Sequence, residues 1–273
     1  MQSAKQLIED FSADYLNGDL SRLANFDFAR LKIDKKYGCP GRNFDCDDTN
    51  LIRAIFFILY NDIYPELSFI DIGTGRKYRG DTINTFNSIF GTYDEYSKTT
   101  AGLVFSGANE SLVSKAMKFH STYHTLGNFI LLPNQPEFPI KHSYTLNTFR
   151  GTAWKDFFDI FLLHIKQYIE ENNKPIPHFT NIMRSNEFFF GWIKKEGGIP
   201  YLKKICYLED YFSDDNPCSL YSPYITAKRS KSSWNDEFCK TYLAFSDSYI
   251  EKATFLIENR AKIVLKNLTE KME

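Results

Sequence analysis

The sequence has no long hydrophobic run: its longest, residues 54–60 (AIFFILY), falls far short of the roughly 20 residues a helix needs to cross a bilayer. It has no excess of charge of either sign. Lys and Arg number 33 against 34 Asp and Glu, a formal net charge of −1, and this balance removes the whole-chain argument for a strongly basic nucleic-acid or anionic-membrane binder. Cysteine is scarce. Cys39, Cys46, Cys206, Cys218 and Cys239 form no C-x-x-C pair, and an odd number argues against a closed disulfide framework, so free thiols in a reducing compartment are expected. The N-terminal stretch MQSAKQLIEDFSADYLN carries Glu9, Asp10 and Asp14 where an export signal needs an uninterrupted apolar segment. A cytoplasmic location without membrane association is expected.

Nothing repeats at a fixed period and no segment is of low complexity, which sets aside solenoids and linker arrays. What is present is apolar and aromatic residue, 43% and 16% of the 273 residues, and a chain of this size buries about three-quarters of its unfolded surface. One domain over residues 1–273 is expected, with an N-terminal lobe at 1–72 and a motif-bearing helical region at 73–273 as its internal division. Leu7, Phe11 and Tyr15 have helical spacing, and a short segment follows around residues 20–30. YGCPGRNFDCDD breaks regular structure and reads as a solvated loop. Asp47, Asp48 and Thr49 can cap the next helix, apolar nearly all round from Leu51 to Leu59. LSFIDI, residues 67–72, reads as a short strand. The clearest helical period runs through Trp154, Phe157, Phe158, Phe161, Ile165 and Ile169. Two more helices are expected over residues 179–195 and 201–212, broken by GGIP, then a loop at SDDNPCSLYSPY and a long final helix from about Asn235 to Lys271. The fold class is mainly α, with a small β element and a loop-rich central region.

Three polar constellations interrupt the apolar helices. IGTGRKYRGDTINTF, residues 72–86, sets Arg76, Lys77 and Arg79 among glycines that can bring backbone N–H groups to a phosphate. It fits neither phosphate fingerprint, and a basic surface turn before a helix capped by Asp81 or Thr82 is the favoured reading over ligand binding. FHSTYHTLGNFILLPN, residues 119–134, puts His120 and His124 four apart, on one helical face. Ser121 stands where a zinc protease needs Glu, and no third ligand is evident, so packed histidines are favoured and no metal ligand is assigned. Gly127 and Asn128 read as a turn, the carboxamide satisfying backbone groups there. LNTFRGTAWKDFFDIF, residues 146–161, places Asn147 and Arg150 before a helix whose Asp156 and Asp159 complement the macrodipole; Arg150 can clamp a carboxylate or phosphate, or pair with a nearby Asp. Lys228, Arg229 and Lys231 beside Trp234 have the composition of a small nucleic-acid patch, though a charged surface loop is commoner. No local motif announces a nucleophilic triad.

From about residue 76 onward the chain resembles a bacterial family of unknown function, found mainly as stand-alone proteins of low-GC Gram-positive bacteria. The resemblance is carried by YRGDTINTF (78–86), YHTLGNFILLPN (123–134), NTFRG with the following DFFDIFL (147–162), and the C-terminal EFFF, YLKK and IENRAKI segments. It implies no activity. HTLGNFILLPN alone is similar to the L-G-N-L-T-L-L stretch of the HNH-like C-terminal nuclease domain of GmrSD-type restriction enzymes. That domain takes its general base from an upstream H-x-x-P, and none precedes the stretch in this chain, whose first histidine is His120.

The leading expectation is a pocket for an anionic ligand, a nucleotide or nucleic-acid segment, in which Arg79, Thr82, Asn128, Asn147 and Arg150 bind and Asp81 or His124 acts as acid or base if chemistry occurs. The alternatives are a non-enzymatic protein-interaction module, linked to phage defence or mobile elements, whose motif residues knit the fold, and a degenerate HNH-like nuclease. A divalent metal cofactor belongs to the nuclease alternative only.

Overall fold

Ser3 opens the chain's first helix: its hydroxyl accepts from the Gln6 N–H at 3.1 Å and caps α1, Ala4–Leu16. The computed structural model describes residues 3–38, 46–63, 80–83, 109–131, 158–171, 187–218 and 236–273. Asn17 at φ 57° and Gly18 at φ 77° end α1 in left-handed backbone, which Asn and Gly adopt at little cost. Two 3-10 turns follow, Leu20–Asn25 and Phe28–Leu31, each opened by an aspartate, Asp19 and Asp27, whose carboxylate accepts a backbone N–H two residues on. Thr49 caps α2, Asn50–Tyr60, accepting from the Ile52 N–H at 3.3 Å.

The expectation of a solvated loop before α2 needs correction at its described end. Cys46–Asp48 forms a 3-10 turn in which all three residues are buried. Asp48 tolerates that burial because Arg53, one helical turn into α2, donates to its Oδ1 from Nη2 at 2.7 Å and from Nε at 3.1 Å. Cys39 and Asp45, like the strand expected at residues 67–72, lie outside the described residues.

Downstream come β1 (Gly80–Asp81), α3 (Glu110–Tyr123, capped by Asn109), a 3-10 turn at Leu126–Asn128, β2 (Phe129–Ile130), α4 (Phe158–Glu171), α5 (Glu187–Glu196) and α6 (Ile199–Cys206). A hairpin of β3 (Phe212–Ser213) and β4 (Asn216–Pro217) precedes α7, Asp236–Met272. Helix accounts for 73% of the described residues, and the strands make two small antiparallel pairs, so the fold is mainly α.

GGIP behaves differently from a plain breaker. Gly197 (φ 133°) and Gly198 (φ 71°) turn the chain, but Ile199 and Pro200 already belong to the first turn of α6, where a proline's missing N–H would have had no helical partner. The helix expected over residues 201–212 stops early, at Cys206, with Tyr207 left-handed at φ 56°. Part of the expected loop is instead the β3–β4 hairpin, closed by Asp214 at φ 55°.

One hydrophobic cluster runs from Ile8 in α1 to Met272 in α7, joining residues on both sides of position 72. α7 is its spine, packing on α3, on the Leu126–Asn128 turn, on α2 and on the Leu20–Asn25 turn. Its far end is tied down: Lys271 donates to Leu59 O at 3.0 Å, and Lys5 of α1 donates to Met272 O. Among the described residues no helix is long and apolar enough to cross a membrane.

Candidate functional site

Two of the three polar motifs meet. β1 pairs antiparallel with β2, Gly80 opposite Ile130 and Asp81 opposite Phe129, so the described parts of the two motifs, residues 80–83 and 126–130, lie side by side although 49 residues separate the partners in the first pair. Asp81 or Thr82 was expected to cap a helix after a basic turn. Asp81 is instead in a strand, and Thr82 is fully buried beside it.

Asn128 occupies the centre of this junction with no exposed surface. Its Oδ1 accepts from Thr82 Oγ1 and from the Ile83 N–H, both at 2.8 Å. Its Nδ2 donates to Ile83 O at 2.9 Å and to Tyr123 O at 2.8 Å. A carboxamide offers two acceptor and two donor positions, and all four are filled. The Asn128 carbonyl in turn accepts from the Thr82 N–H at 2.7 Å. Because Thr82 gives its hydroxyl proton to Asn128, the Tyr211 hydroxyl 2.9 Å away is the donor in the contact between them. Burial pushes the Tyr211 phenol up to about 12, against the opposing charge of Arg260, so it stays protonated and able to donate.

Gly127 explains why the motif contains glycine. A Cβ at this position would lie 1.9 Å from Ile257 O and 2.9 Å from Ala261 N, so the turn rests backbone to backbone on α7. One turn along, Arg260 reaches into the same place. Its side chain is essentially buried, and Nη1 donates to Gly127 O and Phe129 O, both at 2.7 Å, while Nε donates to Cys206 O at 3.0 Å. No carboxylate pairs with it among the described residues. Cys206, Tyr207 and Tyr211 stand around this guanidinium, and burial pushes all three to about 12, with the positive charge opposing. A thiol held so far from ionising is a poor nucleophile, and its Sγ–H points at Leu131 O, 3.7 Å away.

His124 lies just past the end of α3, at φ −102° and ψ 31°, so the shared helical face expected for His120 and His124 ends before it. Its ring lies 4.8 Å from that of Tyr123, and its carbonyl accepts from the Phe28 N–H at 2.9 Å, joining the N-terminal turns to the junction. Among the described residues no group of three or more His, Cys, Asp and Glu is placed to hold a metal ion. Arg79, Asn147 and Arg150 lie outside the described residues, as do Arg76, Lys77, Asp156 and the cluster of Lys228, Arg229, Lys231 and Trp234.

The sequence reading missed Arg260 and Tyr211. Arg260 stands in the buried register of α7, in line with Ala253, Leu256, Ile257 and Val264, and a cation interrupting an apolar stripe is a visible signal. Tyr211 carried no such mark.

No family model matches the chain, and no curated protein and no solved structure is significantly similar to it.

Proposed function

We propose that the protein is a non-enzymatic interaction module, in which the polar motif residues Thr82, Asn128 and Arg260 hold a mainly helical scaffold together. The observation that carries this reading is the Asn128 side chain: with no exposed surface and all four hydrogen-bonding positions filled from within, it has nothing to offer a ligand. The guanidinium of Arg260 supports the same reading, since it faces three backbone carbonyls rather than an open cleft.

A thermal-shift experiment tests it. Wild type and Thr82→Val are melted with nucleotides, short DNA and RNA, Mg²⁺, Mn²⁺ and Zn²⁺, a ligand at 100 times its dissociation constant adding about 2.7 kcal/mol. The interaction reading expects Thr82→Val to melt lower and neither protein to show a selective shift. A selective shift that disappears in Arg79→Ala or Arg150→Ala would favour the anion pocket, and metal-dependent cleavage that disappears on replacing His124 would favour the nuclease.

A further inference from the structure

Ile33 is 90% exposed, the most exposed large apolar side chain among the described residues. It sits in a turn, where a β-branched aliphatic residue has neither a conformational nor a burial reason to be. Exposure through looseness is not the explanation, because the turn is held on every side. The Lys32 N–H donates to Ala29 O at 3.3 Å and the Asp34 N–H to Leu31 O at 3.0 Å. Asp34 then fixes the exit: Oδ1 accepts from the Lys36 and Tyr37 N–H groups, both at 2.8 Å, and Oδ2 accepts from Tyr15 Oη at 2.5 Å. Beneath it, Tyr37 is buried with its ring 5.1 Å from that of Phe11, and the Leu51 N–H donates to Tyr37 O at 3.1 Å, tying the turn to α2.

The exposed charged residues of this turn, Arg30, Lys32 and Lys35, are all cations. Lys32 and Lys35 are exposed and pair with no carboxylate among the described residues, and Arg30 is exposed with its guanidinium 5.4 Å from the Phe26 ring. The one acid among these residues, Asp34, is occupied by the three bonds just given. A residue that breaks the local rules on a rigid support marks a place where something other than folding chose it.

We propose that the Arg30–Lys35 turn is a docking surface for a protein partner carrying an apolar recess rimmed by Asp and Glu, with Ile33 as the anchor and Arg30, Lys32 and Lys35 as the charged rim. The arrangement matches an interface in which one well-packed side chain is surrounded by rim charges that steer encounter. A pre-formed turn docks without a large ordering cost. A nucleic acid would use the cations but gives an aliphatic tip nothing to stack on, and a single isoleucine with three cations offers little area to a lipid surface. The inference rests on the interaction reading and names the surface that reading needs.

The test places a photoreactive benzoylphenylalanine at position 33 of the full chain and irradiates it in the protein's own cells. The crosslinked polypeptide is then identified, purified and titrated against wild type, Ile33→Asp and the double variant Lys32→Glu, Lys35→Glu. The expected results are crosslinks to a segment rich in Asp and Glu, affinity at least about tenfold lower with Ile33→Asp, and wild-type affinity that falls with added salt more steeply than that of the double variant. Both variants should melt with wild type, because the replaced side chains are exposed. A partner that binds Ile33→Asp as tightly as wild type overturns the docking surface and leaves the interaction reading standing. Absence of any crosslinked polypeptide also overturns it, as does Ile33-dependent binding to single-stranded DNA or to vesicles of phosphatidylcholine and phosphatidylserine. A selective nucleotide shift in the thermal screen, by contrast, overturns the interaction reading itself.

Discussion

Replacing Asn128 by alanine removes one side chain and disturbs four groups at once. Thr82 Oγ1 loses its acceptor but can turn its proton toward Tyr211, 2.9 Å away. The Ile83 N–H and Ile83 O have no such recourse, since Asn128 supplies a bond to each and Ile83 is fully buried, while Tyr123 O loses the bond it accepts from Nδ2. A buried polar group left unpaired costs about 1–3 kcal/mol, so the two on Ile83 together put the loss at about 2–6 kcal/mol. That is a large fraction of a total stability of about 5–15 kcal/mol. Urea unfolding followed by far-UV circular dichroism measures it directly. Asn128→Asp is the companion variant: it keeps the accepting oxygens, loses both donors, and buries a carboxyl whose neutral form the site favours. Its folded-state pKa is then raised, so its deficit should be smallest at acid pH and grow as pH rises through that pKa. A loss below about 1 kcal/mol for Asn128→Ala would refute the reasoning, since water or a shifted backbone would have to replace the carboxamide freely.

The remaining expectations address other parts of the same junction. Gly127→Ala should destabilise by about 2 kcal/mol or more, because its Cβ would meet Ile257 O at 1.9 Å; the melting temperature reads this. Arg260→Met should cost about 3 kcal/mol or more in urea unfolding, since Gly127 O, Phe129 O and Cys206 O all lose their donor. Alkaline pH should unfold the protein. Burial raises Cys206 from 9.0, and Tyr207 and Tyr211 from 10.0, to about 12. The stability linked to these groups is therefore complete below about pH 9 and lost progressively between about pH 9 and 12, as the unfolded chain releases protons the native state keeps. Tyrosinate absorbance should rise for these residues only together with loss of helix. Cys206 should react with a thiol reagent only after unfolding, as mass spectrometry of labelled peptides will read; rapid native labelling would contradict its burial.

The helices were legible because their signals are local. Thr49 caps α2 as its position before an apolar run suggests, and α7 spans Asp236–Met272 against an expected helix from about Asn235 to Lys271. What stayed hidden depends on partners far away in the chain. Nothing near Gly80 announces a strand, because the strand exists through pairing with Ile130. Asp48 reads as a solvated acid until Arg53 is seen to pair with it in the buried turn. Asn128 was read both as a turn residue satisfying backbone groups and as a ligand contact; its neighbours at Thr82 and Ile83 come from a segment whose approach no spacing rule encodes. Arg260 interrupts an apolar register, a signal the sequence carries, but its three carbonyl partners lie in the Leu126–Asn128 turn, in β2 and at the end of α6, far away in the chain.

Amide hydrogen exchange at Thr82 and Ile83 tests most directly whether the β1–β2 junction is a closed, internally bonded part of the core. The Thr82 N–H donates to Asn128 O and the Ile83 N–H to Asn128 Oδ1, and both residues are fully buried. Both amides should exchange only through global unfolding, with protection equal to the stability found in urea. Exchange at the rate of a surface loop would mean that the junction opens on its own, and the motif residues would then be free to bind rather than bound to hold.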